Sequence, residues 1–83
     1  MKTRKLPYGD ANLVGRNVER YRKERGISQK DFVAMLQVVG CDVNPTSYSK
    51  LEGQIRIVTD RELYCIAKVL DLPMEALFPE KDE

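Results

Sequence analysis

The chain has 83 residues, 42% of them hydrophobic and 33% charged, which suits one folded domain with a single modest core and excludes disorder along the whole length. It has no histidine and two cysteines, too few for a Cys/His zinc site or a disulfide scaffold, so no metal and no cofactor are expected. The net charge of +1 is uneven: residues 1–30 carry nine Lys/Arg against three Asp/Glu (+6), and residues 31–83 carry five against ten (−5).

Residues 1–9 read as a flexible basic arm, with Lys2, Arg4 and Lys5 before the breakers Pro7 and Gly9. A first helix is expected over about 12–25, capped between Asp10 and Asn12. Val14, Val18 and Tyr21 form its apolar stripe and Gly26 its left-handed stop. Ser28 with Asp31 resembles a capping box, although Asp has less reach than Glu. Ile27 and Phe32 have staple spacing, so a second helix is expected over 28–39, with Phe32, Val33 and Leu36 inward.

Asn44-Pro45 opens a third helix over 45–52, Asn44 as cap and Pro45 at the first helical position. Only Tyr48 and Leu51 supply its inward face, so it needs neighbours to hold it. Thr59 and Glu62 form a capping box for a fourth helix over 60–70, striped by Leu63, Ile66, Ala67 and Leu70. Cys65 joins its core side. Pro73 opens a last short helix over 73–78, and an acidic tail covers 79–83. The expectation is an all-α domain of five helices. Nothing approaches the ~18 apolar residues of a membrane span, and no apolar run follows the basic start, so a cytoplasmic protein without membrane contact is expected.

Several stretches carry a resemblance to the Cro and phage-repressor (XRE-type) class of helix-turn-helix domains. They are Arg22-Lys23-Glu24-Arg25-Gly26-Ile27-Ser28-Gln29, then Ser49-Lys50-Leu51-Glu52-Gly53, then the Leu63, Ile66-Ala67, Leu70, Leu72 run and Leu77-Phe78. The similarity spans about residues 13–78. The stretch from Leu36 to Asn44 is about three residues longer than the short turn common in that class, as in a subgroup with an extended second helix. The resemblance implies a compact five-helix lambda-repressor-like fold that binds double-stranded DNA as a transcriptional regulator. It places Pro45, Thr46, Ser49 and Lys50 at base-contact positions and Gln29 at a phosphate. It also implies that Arg22 is structural, paired with Glu52.

The residues make the same case physically. A helix that enters the major groove needs short polar groups near its N-terminus and an anchored opposite face. Residues 45–52 meet that description. Ser47, Arg56, Arg16 and Arg20 are further candidates for phosphate contact, against the plainer reading of solvated surface. Tyr48 reads as core rather than as a stacking platform. One domain offers few phosphate contacts, so a homodimer is expected, with Leu72, Met74, Leu77 and Phe78 as its surface unless they close the core instead. No His-based relay and no Gly-rich phosphate loop are present, so an enzyme is not expected. The alternative is a protein-interaction module, such as an antitoxin or a regulator's partner.

Overall fold

In the computed structural model, which describes residues 8–80, four α-helices and one short 3₁₀ turn enclose a common core. They are α1 (Gly15–Glu24), α2 (Gln29–Val38), α3 (Pro45–Glu52), α4 (Asp60–Leu70) and the 3₁₀ turn Met74–Leu77. There is no strand among the described residues. The fold is therefore all-α, without a sheet. No helix among them is long and apolar enough to cross a membrane.

The local rules explain most boundaries. Ser28 accepts from the Asp31 backbone N–H at 3.1 Å and caps α2, but the reciprocal bond from the shorter Asp31 side chain is not made. Asn44 accepts from the Ser47 N–H at 2.8 Å and caps α3, with Pro45 at its first position. Thr59 and Glu62 make both bonds of a capping box at the start of α4. Gly26 sits at φ 68°, the left-handed geometry that ends α1 in the chain reversal towards α2.

Three expectations need correction. Helix α1 begins at Gly15, not near residue 12, because Asn12 spends its side chain in the turn before the helix, accepting from the Val14 and Gly15 N–H groups at 3.1 and 2.8 Å. The last helix is only the 3₁₀ turn Met74–Leu77, too short for an α-helical ladder. The arm drawn over 1–9 stops short of Tyr8 and Gly9. Gly9 N–H donates to the Gly53 carbonyl at 2.8 Å, and the Tyr8 hydroxyl donates to the Glu19 carboxylate. Residues 1–7 of the arm and 81–83 of the acidic tail lie outside the described residues.

The core runs from Val14 and Val18 of α1 through Phe32, Val33 and Leu36 of α2 and Tyr48 and Leu51 of α3 to Ile66, Ala67 and Leu70 of α4. Leu77 closes its base and is completely buried. Phe32 and Tyr48 meet with ring centroids 5.5 Å apart and tilted planes. Cys41 and Cys65 are buried free thiols; burial, then its Cys65 neighbour, pushes the Cys41 thiol up to about 11. Little Cys41 thiolate forms there, and both buried side chains act as small apolar fillers.

Leu51 is 1% exposed and ties α3 to this core. Truncating it in Leu51→Ala is expected to cost about 3 kcal/mol, measured by urea denaturation. A loss below about 0.5 kcal/mol is what a surface position would give and would refute this packing of α3.

Candidate nucleic-acid interface

Helix α3 is eight residues long and mostly polar, so its orientation depends on what grips it. The strongest grip is on Glu52, which is fully buried. Arg22 of α1 reaches it with two guanidinium nitrogens, Nε to Oε2 at 2.7 Å and Nη2 to Oε1 at 3.1 Å. Tyr48, one turn earlier in α3, donates its hydroxyl to Oε2 at 2.5 Å, and Gln29 of α2 donates Nε2 to Oε1 at 2.8 Å. Arg22 also donates to the Ile27 carbonyl at 2.7 Å, joining the α1–α2 turn to the network. Burial by itself lowers the Arg22 pKa, but the Glu52 hydrogen bond and charge more than reverse this, so the guanidinium lies above its ordinary value. Tyr48 is also raised, by burial and then by the Glu52 charge, and stays a protonated donor. The pairing of Arg22 with Glu52 agrees with the expectation drawn from the resemblance.

The C-terminal end of α3 has its own clasp. Asn12 Nδ2 donates to the carbonyls of Leu51 (3.0 Å) and Arg56 (2.9 Å), and Gln54 Nε2 returns a bond to the Asn12 carbonyl at 2.6 Å. A Cβ on Gly15 would overlap the Leu51 carbonyl oxygen, so only glycine lets α1 start this close to α3.

Gripped in this way, α3 leaves Pro45, Thr46 and Lys50 exposed, with Ser47 and Ser49 half-buried. Asn44, Pro45, Thr46, Ser47, Lys50 and Arg56 line one open groove. No carboxylate lines it. Ser49 lies outside that lining, so the four expected base-contact residues do not share a single concavity.

Arg56, expected at a phosphate, makes its bonds within the protein in this structure. Its Nε donates to the Ser47 carbonyl at 2.9 Å, and Nη1 and Nη2 each meet a Glu62 oxygen at 2.9 Å, with a further bond from Nη1 to the Ile57 carbonyl. Its charge is spent on Glu62, and it braces the first turn of α3 against the start of α4. Arg16 and Arg20 lie on α1, away from the groove. Arg16 stacks over the Tyr8 ring at 4.7 Å and lines a separate cavity with Leu13, Asn17, Gln54 and Pro79. Arg20 bonds Glu24 and Asn17 at 3.3 Å.

Of the expected dimer surface, Leu77 is withdrawn because the core covers it completely. Leu72 is half-buried against the same core, while Met74 and Phe78 are 42% and 41% exposed. Sequence reasoning missed the clasp at Asn12, for which the chain carries no local signal. It also missed Gln29 and Tyr48 as partners of Glu52, although Tyr48 and Glu52 at i and i+4 must share a helix face.

Among the described residues no cluster of three or more His, Cys, Asp or Glu side chains is arranged to hold a metal ion. Comparison with known proteins returns no match: no family model, no curated protein and no solved structure aligns with this chain.

Two substitutions probe the supports. Glu52→Ala leaves the Arg22 charge buried without its partner and is expected to cost about 3–5 kcal/mol in urea denaturation; a cost under about 1 kcal/mol would show that the network does not hold the helices together. For Glu62, burial would raise the carboxyl, but hydrogen bonds from Arg56 and Thr59 outweigh it and hold the pKa below its ordinary value. Its contribution is therefore present above the unfolded carboxylate value of about 4.3 and disappears as pH falls through the lower folded value. Glu62→Gln is expected to cost about 1 kcal/mol at neutral pH. The gap to the parent chain should close in acid, and a gap independent of pH would contradict the ion pair.

Proposed function

We propose that this chain is a sequence-specific double-stranded DNA-binding protein of the helix-turn-helix type, acting as a transcriptional regulator through α3 in the major groove. The single observation that carries this reading is the asymmetry of α3. Its inner face is locked by Tyr48, Leu51 and Glu52, while its outer face carries Pro45, Thr46 and Lys50 exposed beside a groove without carboxylates. A rigid helix with that division can lay its first turns along base edges, whose donors and acceptors are distinct in the major groove. The order α2, turn, α3, with both helices fixed to one core, supports a lambda-repressor-like arrangement. The likeness of residues 22–29 and 49–53 to the Cro and phage-repressor class supports it further.

The roles follow from chemistry. Thr46 offers a methyl to thymine and a hydroxyl to a base edge, Lys50 reaches guanine O6/N7, and Ser49 and Pro45 set the approach. Gln29 gives one Nε2 hydrogen to Glu52 and keeps a second for a phosphate oxygen, at the N-terminus of α2 where the helix dipole favours an anion. Ser47 sits beside the backbone path. Arg56 positions α3 without touching the phosphate. No catalytic step is assigned, and the site of action is the cytoplasm, where bacterial or phage DNA lies.

The exposed apolar end of α2, with Met35, Val38 and Val39 at 42%, 86% and 37% exposure, favours a second reading as a protein-interaction module. One experiment separates the two. Random duplex DNA is selected for binding at low salt, and Lys50→Glu is then assayed on the enriched sequence. The expected result is enrichment of a defined site, loss of binding by at least about tenfold in the variant, and a melting temperature within about 2 °C of the parent. No enrichment, or binding unchanged by Lys50→Glu, would reject the α3 face.

A further inference from the structure

Cys41 and Cys65 are nucleophilic side chains that the proposed function leaves idle. Cys41 stands in the connection between α2 and α3, and Cys65 on α4. They are 2% and 4% exposed and belong to one core cluster. Their side chains are hydrogen-bonded to one another. The chain has no other cysteine, so each thiol has a single partner to find within it. Cys41 is turned inward from an otherwise open connection: its neighbours Gly40 and Asp42 are exposed. Its N–H donates to the Leu36 carbonyl at 2.9 Å, and the Val43 N–H donates to its carbonyl at 3.1 Å.

We infer that Cys41 and Cys65 are a modification site, joined as an intramolecular disulfide by a low-molecular-weight disulfide such as oxidised glutathione, and that the bond latches the loop that carries α3. The topology gives the pair this reach. A bond from 41 to 65 closes a loop that contains the whole of α3, its cap Asn44, and both partners of the Arg56–Glu62 brace. The charges of Glu62 and Arg56 both act on Cys41, so the pair lies close to that brace. A disulfide requires the sulfurs to close to about 2.05 Å, and the partner that can give way is Cys41, on a connection rather than a helix. Closing the loop restricts the unfolded chain and adds nothing to the outer face of α3. The latch acts on how α3 is seated, whatever that helix contacts, so it stands apart from the DNA reading.

The exchange takes two steps. One protein thiol loses its proton and attacks a sulfur of glutathione disulfide, whose S–S bond breaks and releases one glutathione thiolate. The other protein thiol loses its proton, attacks the protein sulfur of the mixed disulfide and expels the second glutathione. Both protons end on glutathione; the protein pair is oxidised by two electrons and the reagent reduced by two. The thiolate is the attacking form, and burial keeps Cys41 protonated, so the reaction is slow in the closed fold and proceeds through opening of the connection.

The test compares the full chain after excess oxidised glutathione with the same chain after dithiothreitol. It is run without DNA, in buffer and again in urea below the unfolding transition, where the connection opens more readily. Once unfolded, the oxidised chain should show no free thiol to a colorimetric thiol reagent, against two in the reduced chain. Its mass should be lower by about 2 Da, with no glutathione adduct, and it should run as a single chain on a non-reducing gel. Its melting temperature should lie at least about 5 °C above that of the reduced chain, and dithiothreitol should reverse the rise. Cys41→Ala and Cys65→Ala should each abolish the rise. Should either variant fail to fold, the mass and melt of the parent still decide the matter. Two thiols that survive both conditions would overturn the inference. So would a product that stops at the mixed disulfide or links two chains, or a disulfide that leaves the melting temperature unchanged or lower.

Discussion

The carboxylate of Glu52 is the constraint on which the arrangement depends. A carboxylate without access to water is costly unless both oxygens are fully engaged. Here Arg22 covers it from α1, Gln29 from α2 and Tyr48 from α3 itself. Each donor fixes the position of a different element, so satisfying one group orients three helices at once. An apolar residue at 52 could fill the same space and still let α3 rotate, because dispersion contacts have little directionality. Two oxygens with four geometrically defined donor bonds do not permit that rotation.

This explains how an eight-residue helix with two large inward hydrophobic side chains can be stiff. Its C-terminal end is fixed by Glu52 and by Asn12, which bonds the carbonyls of Leu51 and Arg56. Its N-terminal end is capped by Asn44 and braced by Arg56 through the Ser47 carbonyl. Every one of these attachments lies on the inner side or at the ends. The outer side of the first two turns carries none, and it is the side that the proposed function uses.

The extents of α3 and α4 were legible because caps are local: Asn44-Pro45 and the Thr59–Glu62 box are made by residues three apart, and both bound the observed helices. The start of α1 was not. Asn12 looks like an ordinary cap residue, and only its bonds to backbone 39 and 44 positions later show why the helix does not begin until Gly15. The bracing role of Arg56 was hidden for the same reason. In sequence it is a lone cation after α3, and the carboxylate that pairs with it belongs to a capping box with its own local explanation. Leu77 and Phe78 are adjacent and both apolar, yet one is buried and the other exposed, a distinction fixed by the 3₁₀ turn and invisible in composition.

The charge asymmetry of the sequence also changes meaning once the fold is known. Three of the nine cations in residues 1–30 are paired: Arg22 with Glu52 of α3, and Arg20 with Glu24 and Lys23 with Glu19 within α1, so only the first draws on the excess. Arg56, on the other side of that division, is spent on Glu62. Arg22 and Arg56 tie separate elements together, and the cation lining the α3 groove without such a tie is Lys50. Affinity for a polyanion grows with the number of phosphates neutralised, so a single copy has little of it. On the proposed reading, discrimination rests on the fixed shape of α3 more than on charge.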